Sequence, residues 1–373
     1  MTDAPNPPGS ACAPDAGVDL ERLRGERLAR CFAVMERYAL DVLVLGREAN
    51  VRYVTDARRL WLAGARPFGP GCVVVRATRE VHLLSTSSAG VPATIPTAQL
   101  YALTWNPEHL AARLERIHGL SEARTIGIDG WNPGAARLLA RVAPRARLAD
   151  GDAALHEARR AKTRDEVACL RAAAEIARAG LAAARAQVGP TTSEPVLRGA
   201  FVARLAALAA TTPSFESVVH PAVRAPLLAL RSGVLHDGYE ATLIRSYWSS
   251  RETEPSPAAR DAGQRCAAVR DRLAEACRVG AGAGDLLAAY AAASEELPPF
   301  PVAHGVGLGC EPPLVGRDHV CDPRWRIAPG DVLALYAFAA SGDATSCLTQ
   351  DLVNVTATGV EVLTPEPYGL LAT

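Results

Sequence analysis

Apolar residues recur at helical spacing among charges from Leu20 to about residue 40 (Leu23, Leu28, Cys31, Val34, Met35), which predicts a helix. Asp41-Val-Leu-Val-Leu-Gly46 then reads as a short buried strand closed by glycine. Gly71-Cys-Val-Val-Val-Arg76 and Glu80-Val-His-Leu-Leu-Ser85 read as two more strands. Helical periodicity returns over 107–119 and 133–142, with a strand at Thr125-Ile-Gly-Ile-Asp129 between them. Strands alternating with helices make roughly the first 150 residues an α/β domain.

Between about 145 and 165 the composition shifts to charge (Glu157, Arg159, Arg160, Lys162, Arg164, Asp165, Glu166), and a domain boundary is expected there. Thr163, with Glu166 three residues on, is the start signal for a long amphipathic helix. Further helices are expected over 193–210, 258–279 and 284–296, ahead of a strand-rich C-terminal stretch. Helices first and strands after predict an α+β second domain, with its helices on one face of an antiparallel sheet. The expected division is a disordered lead-in over 1–18, a first domain over 19–155 and a second over 156–373.

Composition narrows the function classes. The 373 residues carry 40 basic and 40 acidic side chains, so no basic surface is available for a sequence-independent grip on nucleic acid. No apolar run is long enough to span a membrane, and the first residues lack the pattern of a secretory signal. The nine cysteines form no CxxC pair or zinc-ribbon spacing, and scattered reduced thiols fit a cytoplasmic location. Lys162 is the sole lysine and falls in the charged stretch, where a solvated position is expected. That sets aside a Schiff-base mechanism. A GxSxG elbow, a Walker A loop and a Rossmann fingerprint are all absent. Gly280-Ala-Gly-Ala-Gly-Asp285 lacks a phosphate lysine, and Asp285 is expected to cap a helix.

Several stretches resemble, in order, motifs of the creatinase/prolidase/aminopeptidase P family, whose catalytic domain has the pita-bread fold. They are Asn50-Val-Arg-Tyr-Val-Thr55, the run from Arg159 through Glu166 to Leu170, Gly238-Tyr239 with Leu243-Ile-Arg-Ser246, and His304-Gly-Val-Gly-Leu-Gly309. Pro329-Gly-Asp-Val-Leu333, Gln350-Asp351 and Gly359-Val-Glu-Val-Leu-Thr364 complete the series. The resemblance implies a pita-bread domain preceded by a creatinase-like α/β domain, and a homodimer.

Metal-dependent members of that family hold two metal ions with two Asp, one His and two Glu. In the register of the motifs, these positions fall here on Arg231, Thr242, His304, Tyr336 and Gln350. Only the histidine is kept. Two close dications need several anionic oxygens to offset their repulsion, and Arg231 brings a permanent cation instead. The expectation is a site with no metal and no cofactor. The loop between Val219 and Leu227 is also shorter than the family's, and its substrate-side histidine is missing; His220 and His236 are the candidates to replace it.

The function implied is a metal-independent enzyme on a small polar substrate, in the manner of creatinase, which hydrolyses a C–N bond with a histidine and glutamates in place of metal. Hydrolysis, elimination and cyclisation all fit the residue set, and a place in specialised metabolism is compatible with so divergent a site. His304 is the expected proton shuttle, Glu311 its orienting carboxylate, and Tyr336 with Arg231 the grip on an anionic or carbonyl end. Tyr239, Thr242 and Gln350 complete the expected substrate-binding set. Each has a plainer reading: a backbone-held His304, a salt-bridged Glu311, an Arg231 paired with Asp351 or Asp237. Cys310 is a nucleophile only if its thiolate is stabilised. Two alternatives stay open: a non-catalytic pseudo-peptidase scaffold binding a ligand or protein, and a metal-dependent Xaa-Pro peptidase.

Overall fold

The computed structural model describes residues 17–57, 71–102, 104, 106–130, 133–189, 191–208, 212–214, 217–219, 227–249, 253–293, 295–319, 321–341, 345–365 and 370–372. These form two compact units that divide between Arg160 and Ala161.

In the first unit, α1 (Leu20–Arg37) starts where the Asp19 carboxylate accepts the Arg22 N–H at 3.0 Å. There follow β1 (Val42–Leu45), α2 (Glu48–Thr55), β2 (Cys72–Val75), β3 (Glu80–Leu84), β4 (Leu100–Tyr101) and α3 (Pro107–Leu114). Next come β5 (Thr125–Ile128), α4 (Pro133–Val142), β6 (Arg147–Asp150) and α5 (Gly151–Arg160). The sheet runs β4-β3-β2-β1-β5-β6, with β1, β5 and β6 parallel and β2 antiparallel to β1. Val42, Val44, Val73 and Val75 pack with Leu110, Leu114, Leu138 and Leu139. The Asn50 motif, read as a turn, is the body of α2, where Asn50 bonds Asp129 at 3.0 Å. Within the charged stretch α5 buries Ala154, Leu155 and Ala158, and the division between the units follows it. Gly151 meets Gly127 so closely that a Cβ on it would lie 2.8 Å from that backbone.

The second unit opens with α6 (Arg164–Arg185), whose Thr163 and Glu166 form the reciprocal capping pair that their spacing predicts. After α7 (Glu194–Ala207) come β7 (Thr212–Pro213), β8 (Leu227–His236), β9 (Tyr239–Trp248), α8 (Pro257–Ala276) and α9 (Ala283–Ala291). The strands β10 (Ala303–Gly307), β11 (Gly309–Val315), β12 (Val332–Ser341), β13 (Thr345–Thr356), β14 (Gly359–Val362) and β15 (Leu370–Ala372) follow. The last helix stops well short of residue 296. Asp285 occupies its third position rather than the cap, accepting the Gly282 N–H at 2.7 Å.

The sheet order is β11-β10-β12-β13-β9-β8-β7, with β14 beside β13 and β15 beside β9. Asp237 and Gly238, at φ 48° and 84°, turn the β8–β9 hairpin in the left-handed geometry that matches strand twist. Against one face, Cys266, Val269 and Leu273 of α8 pack on Leu333, Leu335, Ala337 and Ala339 of β12. On that side Arg245 is fully buried, with Nη2 2.6 Å from Asp351 Oδ1, and Arg270 Nε meets the other oxygen at 3.0 Å. Asp351 therefore belongs to Arg245 and Arg270, and Arg231 does not pair with it. Among the described residues no helix is long and apolar enough to cross a membrane.

Candidate active site on the open face of the sheet

Side chains alternate between faces along a strand, and directly paired residues share a face. Arg231 pairs with Ile244, Ile244 with Gln350, and Gln350 with Tyr336. Two residues on from Tyr336, Ala334 pairs with His304; two back from Ile244 stands Thr242. All five positions picked out by the motif register therefore share the face opposite α8.

His304 and Tyr336 touch. The imidazole Nδ1 lies 2.9 Å from the Gly305 carbonyl and Nε2 3.1 Å from the Tyr336 hydroxyl. A carbonyl only accepts, so Nδ1 carries the hydrogen and Nε2 is left to accept the Tyr336 O–H. Burial pushes the imidazole below its ordinary range, offset in part by the Gly305 carbonyl. Neutral His304 is thus the stable form. Burial, with the Cys310 and Glu240 charges nearby, pushes the Tyr336 phenol up, and it stays protonated. Phe300 stacks against this tyrosine at 6.1 Å and against Phe338 at 5.8 Å, forming an aromatic wall.

Thr242 and Gln350 are buried and bonded to each other, the amide nitrogen donating to the hydroxyl. The Gln350 amide oxygen has no hydrogen-bond partner among the described residues, and turning the amide over leaves its nitrogen unmatched instead. Arg231 is half-buried, and its Nε donates to the Ser217 carbonyl at 2.7 Å. Cys310, the exposed thiol, comes within 3.6 Å of His304 Nδ1. Burial and the Glu240 and Glu311 charges raise its pKa, so no thiolate is stabilised.

Three expected members of the site are elsewhere. Glu311 pairs with Gly305 across the sheet, so it faces away from His304. Its Oε2 accepts from Lys162 Nζ at 2.8 Å, with both side chains buried. Lys162 is therefore not solvated: a lone buried ammonium is costly, and the carboxylate compensates it. Tyr239 and His236 pair with each other on the helix-side face. The Tyr239 hydroxyl donates to Glu166 Oε1 at 2.8 Å, and His236 Nε2 lies 3.6 Å from Asp237. His220 lies outside the described residues.

One member escaped the sequence reading. Glu240, two residues before Thr242, shares the site's face and is the only partly exposed side chain of β9. Alternation from Thr242 was the available signal.

A model of metallopeptidase family M24 matches residues 168–357, half of the chain. The chain belongs to this family. A creatinase/prolidase N-terminal domain model matches residues 27–161. No curated protein matches. Among solved structures, an Xaa-Pro dipeptidase from Bacillus anthracis superposes at TM-score 0.75 and 16% identity, over 94% of this chain and 100% of that one. The dipeptidase PepE from Mycobacterium ulcerans gives 0.71 and 20%, over 94% and 98%. Zinc-substituted E. coli aminopeptidase P with product gives 0.68 and 16%, over 92% and 95%. At these identities the likeness establishes the M24 fold: an α+β pita-bread domain after a creatinase-type α/β domain.

Family M24 implies metal, so the donor set at the ligand positions is the test. One imidazole, a phenol, a threonine hydroxyl, a carboxamide and a guanidinium supply no anionic oxygen at neutral pH. The imidazole already gives its Nε2 lone pair to Tyr336, and Thr242 and Gln350 already engage each other. These residues do not fit a pair of dications.

Proposed function

We propose that this M24 chain is a metal-independent, creatinase-like enzyme acting on a small polar substrate with an anionic or strongly polarised carbonyl end. The observation that carries the reading is the single shared face on which Arg231, Thr242, His304, Tyr336 and Gln350 stand, the five residues that the motif register equates with the ligands of dimetal members.

Neutral His304 accepts a proton at Nε2, with Nδ1–H anchored on the Gly305 carbonyl so that the ring cannot turn. Tyr336 O–H lies between that nitrogen and the open face, so it relays a proton: the substrate's X–H gives its hydrogen to the tyrosine oxygen as the tyrosine hydrogen moves to Nε2. Arg231 holds the substrate's anionic end with a planar fork, and the Phe300–Phe338 wall excludes water. The unmatched Gln350 amide atom offers one further hydrogen bond. Hydrolysis of a C–N bond is the reaction class favoured, with elimination or cyclisation served by the same proton path.

The test is turnover by chelator-treated protein across carboxylate-bearing amides, ureas and guanidines, alongside elemental analysis. Turnover that survives chelation and is lost in His304→Gln supports the reading. Two metals per chain, with activity that leaves on chelation, would overturn it in favour of an Xaa-Pro peptidase. A non-catalytic scaffold is favoured by one observation, the hydrogen bond by which Thr242 and Gln350 engage each other. Ligand binding without turnover, unchanged in His304→Gln, would establish it. A cytoplasmic homodimer completes the proposal, supported by eight free cysteines among the described residues; sedimentation of the purified chain tests the dimer.

A further inference from the structure

We propose that Glu240 is the proton-donating carboxyl of this site, a reading that rests on the metal-independent enzyme proposed above. Glu311, the carboxylate expected in that role, is turned away and neutralised by Lys162. Glu240 shares the face of Thr242, and its Oε2 reaches to 4.0 Å from where a Cβ on Gly309 would stand. Gly309 precedes Cys310, whose sulfur touches His304. The Glu240 charge acts on Cys310 of β11 and on Tyr336 of β12, the two groups in contact with the imidazole.

The surroundings of Glu240 are unusual for a carboxyl that is only partly exposed. No salt bridge reaches it among the described residues. What faces it is the Ser214 hydroxyl, Cys310 of β11 and Tyr336 of β12, with His304 of β10 behind these two and Arg231 of β8 further along the face. A buried carboxylate without a cation is unfavourable, and the group responds by keeping its proton. Burial accordingly raises its pKa, against a small opposing effect of Ser214. His304 shifts the other way. Two groups displaced in opposite senses divide the work, one giving a proton while the other takes one.

The step balances without a co-reactant beyond water. The attacking O–H or N–H bond breaks as its hydrogen passes to the Tyr336 oxygen and the tyrosine hydrogen to His304 Nε2. The scissile bond's electron pair stays with the leaving atom, which takes the Glu240 proton. Imidazolium and carboxylate then return to imidazole and carboxylic acid by proton exchange through water.

Cys310 is a built-in reporter that needs no substrate. Iodoacetamide is the probe, and site-resolved mass spectrometry follows alkylation of the full chain from about pH 5 to about pH 9 in wild type, Glu240→Gln and Glu240→Asp. The expected profiles of wild type and Glu240→Gln coincide at acid pH and part above the ordinary glutamate range. Beyond that point the wild-type thiol reacts at least about threefold more slowly, because the ionised carboxyl opposes the thiolate; half a pKa unit gives that factor. Glu240→Asp keeps the break. Cys321, partly exposed elsewhere, keeps its rate in all three and reports any loss of fold. Profiles that superimpose throughout, or part already in the ordinary glutamate range, would overturn the proposal. Where the substrate panel gives turnover, Glu240→Gln loses the alkaline fall in rate while His304→Gln loses the acid one; an unchanged alkaline fall also overturns it. Two bound metals would sink the metal-independent reading while leaving the alkylation result standing, so the two failures are separable.

Discussion

At the scale of single residues, His304 is defined by one local contact and one distant one. The Gly-rich turn holds the ring in place through Gly305, and the neighbour that decides its chemistry is Tyr336, thirty-two residues away in the chain. Replacing His304 by Gln removes the proton acceptor, and turnover on whichever panel substrate is accepted should fall by a hundredfold or more, a typical order for a general base. The same variant has a stability signature. With a folded pKa below the unfolded value of about 6.5, His304 contributes stability above that pH and loses it as pH falls toward the lowered folded value. Thermal melts from near neutrality to about pH 5 should therefore fall less steeply in His304→Gln than in wild type. Parallel curves would place the imidazole at its ordinary value.

At the scale of elements, the helix-side face of the sheet holds the buried ion pairs, and the opposite face holds the candidate site. Asp351 ties β13 to Arg245 of β9 and Arg270 of α8, and Thr364 adds a hydroxyl at 3.2 Å. Asp351→Asn leaves a fully buried guanidinium short of its counter-charge, which costs about 3–5 kcal/mol; urea melts should show it as a lower midpoint with an unchanged slope. The α6–α7 crossing is equally demanding. A Cβ on Gly180 would stand 2.6 Å from the Phe201 ring, so Gly180→Ala, otherwise helix-favouring, should destabilise by about 1–3 kcal/mol. A neutral or raised melting temperature would mean that the ring has room to turn.

At the scale of the whole molecule, the M24 fold carries Arg231, Thr242, His304, Tyr336 and Gln350 on one face of its sheet, and the metal-independent enzyme proposed above implies how its stability responds to metal. A metal bound at a hundred times its dissociation constant would add about 2.7 kcal/mol of stability. For this chain, melting temperature should be indifferent both to a strong chelator and to added manganese or cobalt. A shift of several degrees in opposite directions under the two treatments would contradict the residue-by-residue reading of Arg231, Thr242, Tyr336 and Gln350. Net charge works at this scale too: with 40 cations against 40 anions, the proposed preference for an anionic group rests on the local guanidinium of Arg231 and not on a long-range field.

Much of this was legible in the chain itself. Strong periodicity gave α1, α6 and α8 to within a few residues, and Thr163 with Glu166 marked a helix start that the structure repeats in detail, because capping and amphipathicity are local. Motif register picked out five positions that strand pairing sets on one face of the sheet. The composition shift at 145–165 brackets the division between the two units, but charge alone does not distinguish a solvated lysine from one buried against a carboxylate, as Lys162 is. Glu311, Tyr239 and His236 were drawn toward the site by nearness in sequence to its motifs, and all three face the other way.

The order of residues determined by itself which elements form and which side chains stand at the motif positions, because propensity, period and side-chain chemistry travel with the residue. Only the tertiary structure decided which carboxyl shares the imidazole's face of the sheet and which is spent on Lys162. That choice depends on the face to which each side chain is turned, and one step along a strand reverses it.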